Sequence, residues 1–296
     1  SVFAGEQSTV PGTAEQPFVV TDGLFDQTKT ESDLGLSKIE GAETVTVFTA
    51  TDDTDHYCNG VVMTEFKGKL YTQWQSSAKD EDAEDTWVAY SVSDDNGATW
   101  SEPKVLVPTI DNGYCSSGGW FVSGDTLVSY INVWYSDTTP RGGFAYYVES
   151  TDGEHWSEMK PVLMKDGTPM EGIIEQDPHV LASGRIVNAA HFQPGLFAYP
   201  IYTDDPSGTK GWVKAQYTCM EQGEGATTSR EMEPSLFVNE DGTIVMTFRD
   251  QNSSFVRLAA ISTDQGETWS ETVSTNMPDC PAICAGLLPD GLRSEE

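Results

Sequence analysis

Four tryptophans divide most of the chain into units of nearly equal length. Trp100, Trp156, Trp212 and Trp269 lie 56, 56 and 57 residues apart. A period of this size is typical of solenoids, propellers and arrays, in which each repeat is one supersecondary unit. The spacing constrains the fold more strongly than composition does. It predicts a single repeat domain over residues 1–296.

A turn-forming phrase precedes each of these tryptophans. It reads SDDNGATW from Ser93 and STDQGETW from Ser262, and the two middle units carry a shorter and a longer form. The aspartate of such a phrase accepts hydrogen bonds from nearby backbone N–H groups, the glycine takes a positive φ, and the tryptophan packs under the turn. We therefore interpret Asp95 and Asp264 as parts of the scaffold.

Short runs rich in β-branched and aromatic residues lie between the phrases, for example GKLYTQW, DTLVSYINVW and GTIVMTFRD. Gly, Asp or Asn bounds each run, which is the pattern of strands and turns. About four such strands fit into each unit, and four-stranded sheets repeated around an axis make a β-propeller. The predicted fold class is an all-β propeller of four-stranded blades.

Charge and cysteine spacing narrow the possible partners. The chain has 47 acidic and 16 basic residues, a formal charge of −31, which repels nucleic acid and anionic lipid. No apolar run approaches the roughly 18 to 20 residues that cross a bilayer. Five cysteines without the paired spacing of a zinc site predict at least one free thiol and no zinc site. We expect no metal and no cofactor, and a secreted or periplasmic monomer. The polar, small-residue start of the chain is compatible with a signal peptide already removed.

The repeated phrase spells S-x-D-x-G-x-x-W, and on it the chain resembles the sialidase-like (neuraminidase) superfamily, where this phrase is called the Asp box or BNR repeat. The resemblance implies a six-bladed β-propeller. Residues 1–44 would then contribute a closing strand, and the run TVTVFTA at 44–50 an outer strand. The units are too few for six blades, which leaves two explanations. The chain is a five-bladed relative, or, as we prefer, its C-terminal blade is broken after the second strand.

The fourth unit carries the closest resemblance to a sialidase blade. There a glutamate precedes the inner strand and an arginine ends the next one. The resemblance implies that Glu233 polarises a tyrosine nucleophile and that Arg249 grips a substrate carboxylate, with Arg230 as a further cation. A guanidinium group suits this role because its planar fork donates two parallel hydrogen bonds.

The first unit departs from the family. His56, Tyr57 and Cys58 stand where the family has an arginine, and Tyr57 joins the candidates for substrate binding. The resemblance places the acid/base aspartate in the loop after the second strand, which contains three aspartates. We choose Asp85 because it is closest to the next strand.

Histidines and carboxylates near the inner strands give a competing set of candidates. His56, His179 and His191 could each act as a base, since an imidazole titrates near neutrality. Glu175 and Asp177 lie beside His179, and two carboxylates fit either a glycosidase site or a calcium site. The residues themselves leave that choice open.

Three functions are consistent with these residues. The favoured one is a glycoside hydrolase that removes a terminal sugar, with an acidic sugar preferred. The second is a polysaccharide lyase or His-dependent glycosidase acting on uronate-containing glycans. The third is a non-catalytic propeller that binds glycans, because a fold does not determine a function. A carbohydrate is the expected partner in all three.

Overall fold

The structure is a computed structural model that describes residues 12–20, 23–26, 28–29, 35–36, 40–51, 53–220, 222–279, 285–287 and 293–295. These residues are all-β, with no helix among them. They form four sheets arranged as propeller blades. In each sheet the antiparallel strands follow one another in chain order, and the first strand of the second, third and fourth blades contacts strands of the preceding blade.

The first two blades contain four strands each. Those of the first blade are β1 (Tyr57–Phe66), β2 (Lys69–Ser77), β3 (Trp87–Ser93) and β4 (Lys104–Val107). Those of the second blade are β5 (Gly113–Ser123), β6 (Thr126–Tyr135), β7 (Phe144–Ser150) and β8 (Lys160–Pro161).

In the third blade the innermost position is shared by two short strands that both pair with the next strand. The strands of the third blade are β9 (Gly172–Ile173), β10 (His179–Val180), β11 (Ile186–Phe192), β12 (Phe197–Thr203) and β13 (Val213–Lys214). Those of the fourth are β14 (Glu231–Val238), β15 (Ile244–Asp250), β16 (Val256–Ser262) and β17 (Val273–Pro278). A hairpin of β18 (Ala285–Leu287) and β19 (Arg293–Glu295) follows, with β18 beside β14.

The number of blades differs from both predicted values. The described residues form four blades, and neither six nor five is correct. The reason lies in the segments outside the tryptophan repeat. Residues 44–50, expected to supply an outer strand, lie in no strand, and Phe48 instead stacks on Trp74 of the first blade. A closing strand from residues 1–44 stays a prediction, because much of that segment lies outside the described residues.

Three clusters of the apolar core each fill the space between two neighbouring blades. Tyr71 and Trp120 lie in the cluster between the first and second blades. Ile174 and Trp212 lie between the second and third, and the third cluster joins the last two blades. The repeat tryptophans of the last three blades thus pack against the preceding blade; they are Trp156, Trp212 and Trp269.

The turn phrases are scaffold, as predicted. Oδ1 of Asp95 accepts the backbone N–H of Thr99 and the hydroxyl of Ser93, both at 2.8 Å. These bonds, with the Thr99 hydroxyl as the largest contributor, lower the pKa of Asp95 to about 2. The indole N–H of Trp100 donates to the carbonyl of Gly97, which has a φ of 87°. The phrase therefore closes on itself through its own side chains.

The described cysteines, Cys58, Cys115 and Cys219, are free thiols, which agrees with the expectation of at least one. Cys280 and Cys284 lie outside the described residues. No helix of the described chain is long and apolar enough to cross a membrane. The predicted location and monomeric state stay predictions.

Candidate functional site

One end of the four blades collects most of the functional candidates. At this end the first strand of each blade begins and the second strand of the same blade ends. Side chains from the two strands therefore lie close together. The residues paired there are Tyr57 with Ser77, Tyr114 with Trp134, Ile173 with His191, and Met232 with Arg249. We call this end the mouth.

An apolar layer joins the blades beneath the mouth. Tyr114 and Trp134 of the second blade pack with Ile173 and Leu196 of the third, and Met232 of the fourth packs against them. Because this layer is buried, the polar groups above it are held at defined positions. The mouth is therefore built on rigid strands, which suits a site that must hold a ligand precisely in one place.

The first cluster at the mouth joins the first and second blades. The hydroxyl of Tyr114 donates to Oδ1 of Asp82 at 2.7 Å, and Nη2 of Arg141 donates to both of these groups. The guanidinium carbon of Arg141 lies 4.5 Å from the centre of the Trp134 ring. Burial and the bond to Asp82 raise the pKa of Tyr114, although Arg141 opposes them. Asp82 is thus an exposed carboxylate that accepts hydrogen bonds from two side chains, Tyr114 and Arg141.

The second cluster pairs a carboxylate with a buried imidazole in the third blade. Nε2 of His191 lies 2.8 Å from Oε2 of Glu175. The imidazole is fully buried, whereas the carboxylate is partly exposed at the mouth. Burial raises the pKa of Glu175, but His191, Arg249 and Arg141 outweigh that effect and hold the pKa below its usual value. Glu175 is therefore an anion at neutral pH, and it lies within electrostatic range of both arginines.

The third cluster lies in the fourth blade. Nη1 of Arg249 donates to Oε1 of Glu233 at 2.7 Å, and Nη2 donates to Oε1 of Gln251 at 2.8 Å. Glu233 has a φ of 48° and lies in a bulge where the register between β14 and β15 shifts. That bulge turns the glutamate towards the arginine at the end of the neighbouring strand.

A second ion pair of the fourth blade involves Arg230. Its Nε and Nη2 atoms donate to the two carboxylate oxygens of Asp250, at 3.0 and 2.5 Å. Burial raises the pKa of Asp250, but the bonds from Arg230 and Ser254 outweigh that effect and lower the pKa to about 2. Two N–H donors of the Arg230 guanidinium group are therefore already bound to a carboxylate of the protein itself.

The family of the chain follows from its sequence. The model of the BNR repeat-like domain family matches residues 68–294, which is most of the chain. This chain belongs to the BNR repeat-like family. No curated protein matches it. Solved structures share its fold, however, and they match most of the BNR repeat-like chain.

Three solved structures illustrate this likeness. A protein of unknown function from Dyadobacter fermentans has a TM-score of 0.67 at 14% identity, over 83% of this chain and 76% of that chain. The intramolecular trans-sialidase of Ruminococcus gnavus, solved with oseltamivir carboxylate, has a TM-score of 0.58 at 14% identity, over 83% and 78%. A Hadza microbial sialidase has a TM-score of 0.59 at 18% identity, and the match covers 79% of this chain but 51% of the sialidase. Identities this low establish the sialidase-like propeller fold alone.

The BNR repeat-like chain brings four of the predicted site residues near one another at the mouth. The four are Glu175, His191, Glu233 and Arg249. Arg230 lies at the same end of the fourth blade but pairs with Asp250. Tyr57 lies at the edge of the mouth, and its hydroxyl is 3.4 Å from Oε2 of Glu81. Their proposed roles stay predictions.

The remaining predicted residues make other contacts. The carboxylate of Asp85 accepts the backbone N–H of Ala78 at 3.0 Å and so closes its own loop. Asp177, in the segment between β9 and β10, accepts the backbone N–H of Trp120 at 2.6 Å. Burial lowers the pKa of the neighbouring His179 to about 4. His56 is exposed.

Sequence reasoning missed Arg141 and Tyr114 and passed over Asp82 for Asp85. Arg141 could have been chosen as a candidate from the sequence. It follows the second strand of its blade, close to the position that Arg249 has in the fourth blade. Among the described residues, no group of His, Cys, Asp and Glu side chains is arranged to hold a metal ion.

Proposed function

We propose that this chain hydrolyses the bond to a terminal sugar of a glycan bound at the mouth. The observation that carries the proposal is the meeting of carboxylates and arginines from all four blades at one end, above an apolar layer. Solved proteins of the same fold include a microbial sialidase and a trans-sialidase, which supports a glycan as the ligand. Clustered ionisable groups of this kind are typical of functional sites.

In this proposal Asp82 is the acid/base residue. Its carboxylate is about half exposed, so it can reach a glycosidic oxygen, while Arg141 and Tyr114 fix its orientation. The protonated form of Asp82 would donate its proton to the leaving oxygen as the bond breaks, and the resulting carboxylate would then take a proton from the attacking water. Glu175 is the second carboxylate, and its negative charge stabilises the positive charge that develops on the sugar ring.

Tyr114 serves in this proposal as a positioning residue. Its pKa is raised, so its hydroxyl stays protonated at neutral pH and is a weak nucleophile. It keeps donating to Asp82 instead. Arg249, held by Glu233 and Gln251, would orient the sugar from the opposite side of the mouth.

Two matched variants test the role of Asp82. We expect Asp82→Asn to lower kcat by about 10² to 10⁴-fold on any glycoside that the chain hydrolyses, because general acid catalysis contributes about that much. Asp85→Asn makes the same chemical change three residues away in the same loop and should retain most of the activity. Loss of kcat in the Asp85 variant alone would contradict the proposal and favour the residue chosen from sequence.

Glycan binding without turnover is a second candidate, and the protonated Tyr114 favours it because that tyrosine cannot attack the sugar. Calorimetric binding of a glycan that is never hydrolysed would support it. Of the two histidines suggested as the base of a uronate lyase, His191 is fully buried and His56 is exposed, so this reaction would use His56. Its signature is an ultraviolet-absorbing unsaturated product from a uronate polymer.

A further inference from the structure

The mouth arginines share one property that bears on the substrate: each is already paired with a carboxylate of the protein. Arg141 contacts Asp82, Arg249 contacts Glu233, and Arg230 contacts Asp250. A carboxylate of a bound sugar would have to compete with these partners. From this we propose that the mouth selects neutral, hydroxyl-rich sugars and rejects anionic ones. The inference rests on the proposed function, since it names the sugar class for the same site.

Two of these arginines already use two N–H donors each. Arg249 uses Nη1 for Glu233 and Nη2 for Gln251, and Arg230 uses Nε and Nη2 for the two oxygens of Asp250. Strong recognition of a carboxylate by arginine uses two parallel N–H donors from one guanidinium group. A sugar carboxylate would have to share each guanidinium group with a protein carboxylate that is already bound, and the two anions would repel each other.

The balance of charge at the mouth points the same way. The carboxylates of Asp82, Glu175, Glu233 and Asp250 face three guanidinium groups. Oε2 of Glu81, which accepts a hydrogen bond from Asn59 at 3.1 Å, adds a further negative charge at the edge. An incoming anion gains no net attraction in such a site, and the charge of −31 on the whole chain repels it.

The exposed polar groups suit hydroxyl groups instead. Asp82 and Glu175 present carboxylate oxygens at the mouth, and these accept hydrogen bonds from the hydroxyls of a neutral sugar. Asn59 is exposed beside them and can both donate and accept. Hydrogen bonds to ionised acceptors are the stronger kind, so a polyhydroxylated ring is bound without any charge of its own.

An aromatic ring on the same side of the fourth blade fits this ligand class. Phe255 is 80% exposed and lies in the loop that follows Arg249 and Gln251. Its backbone has a φ of 64°, and its carbonyl accepts the N–H of Asp279 at 3.1 Å, so the ring is presented by an anchored loop. The C–H face of a neutral sugar can pack on such a ring.

Matched pairs of aryl glycosides test the inference. An aryl glucoside and glucuronide differ only in a CH₂OH group against a carboxylate, as do a galactoside and galacturonide. We expect the neutral member of the preferred pair to be hydrolysed with a kcat/KM at least about tenfold higher, which corresponds to about 1.4 kcal/mol. Faster hydrolysis of the anionic member, or of an aryl sialoside, overturns the inference and leaves the proposed hydrolysis intact.

Hydrolysis of no member of the panel makes the proposed hydrolysis fail instead. Binding of the methyl glycosides and methyl uronosides, measured by saturation-transfer NMR, then decides the inference separately. Preference for the neutral ligand supports the inference, and preference for the uronoside, or binding of neither, overturns it.

Charge-neutralising variants give an independent readout. Glu233→Gln removes the negative charge that is paired with Arg249, and we expect it to raise the affinity for the methyl uronoside at least about fivefold relative to the neutral glycoside. Glu175→Gln removes a second mouth carboxylate and should act in the same direction. The control is Glu267→Gln, which breaks the ion pair with Arg185 at the opposite end of the blades and changes the net charge equally. Unchanged discrimination in both mouth variants, or an equal shift in the control, contradicts the inference.

Discussion

Asp177 shows how a single residue couples the fold to pH. Its carboxylate is mostly buried, and burial raises its pKa to about 6, although the N–H of Trp120 opposes this. The unfolded chain has an aspartate pKa of about 3.9, so the folded protein binds this proton more tightly. By linkage, the contribution of Asp177 to stability falls as pH rises from about 4 through 6 and stays unfavourable above that range.

We therefore expect Asp177→Asn to stabilise the fold at pH 8. The gain is up to about 3 kcal/mol, from about two pKa units, because the amide oxygen can still accept the N–H of Trp120. Urea unfolding at pH 5 and pH 8 measures it, and the gain should be larger at pH 8. Asp94→Asn, in an exposed turn, removes the same charge and is the control. An equal effect of Asp177→Asn at both pH values would refute the linkage.

The sequence predicts where a single residue lies when its position follows from the repeat. Glu233 and Arg249 lie at the ends of neighbouring strands in the fourth unit, and the structure does bring them into contact. Asp82 and Asp85 lie in one loop, where strand periodicity gives no orientation. Only the folded loop, in which Asp85 binds the N–H of Ala78, leaves Asp82 facing Arg141.

At the scale of elements, the tryptophans of the repeat should differ in their contribution to stability. Trp212 is fully buried between two blades and donates to the carbonyl of Gly208 at 2.9 Å, whereas Trp100 is partly exposed. We expect Trp212→Ala to lower the free energy of unfolding by about 3 to 5 kcal/mol and Trp100→Ala to lower it by less. Denaturant unfolding of the two variants gives the comparison. Equal losses in the free energy of unfolding would mean that burial between blades does not determine how much each repeat tryptophan stabilises the fold.

The elements themselves could be predicted because the tryptophan spacing reports directly on blade length. The four-stranded sheets and the scaffold role of the turn phrases follow from that spacing and from turn chemistry. Blade number could not be predicted in the same way, because residues outside the repeat carry no period. Phe18 and Phe48 pack on the fourth and first blades from segments in no strand, and only tertiary contacts reveal this.

At the scale of the whole molecule, the excess of acidic residues should make stability depend on salt. A formal charge of −31 repels itself in the compact state, and added ions screen this repulsion. We expect Tm to rise as NaCl increases from about 0.01 M to about 0.5 M, because the Debye length falls from about 30 Å to a few ångströms. Differential scanning calorimetry at fixed pH measures it. A Tm that is constant or falls over this range would show that self-repulsion is not a significant cost.

The central claim is that the mouth of this propeller hydrolyses glycans, and one assay tests it most directly. The assay measures aglycone release by the purified chain from aryl glycosides with neutral and anionic terminal sugars, alongside the Asp82→Asn variant. We predict release from at least one neutral glycoside by the wild-type chain, and release at background level by the variant. Background release by both proteins on every glycoside, or equal release by both on any of them, would contradict the account.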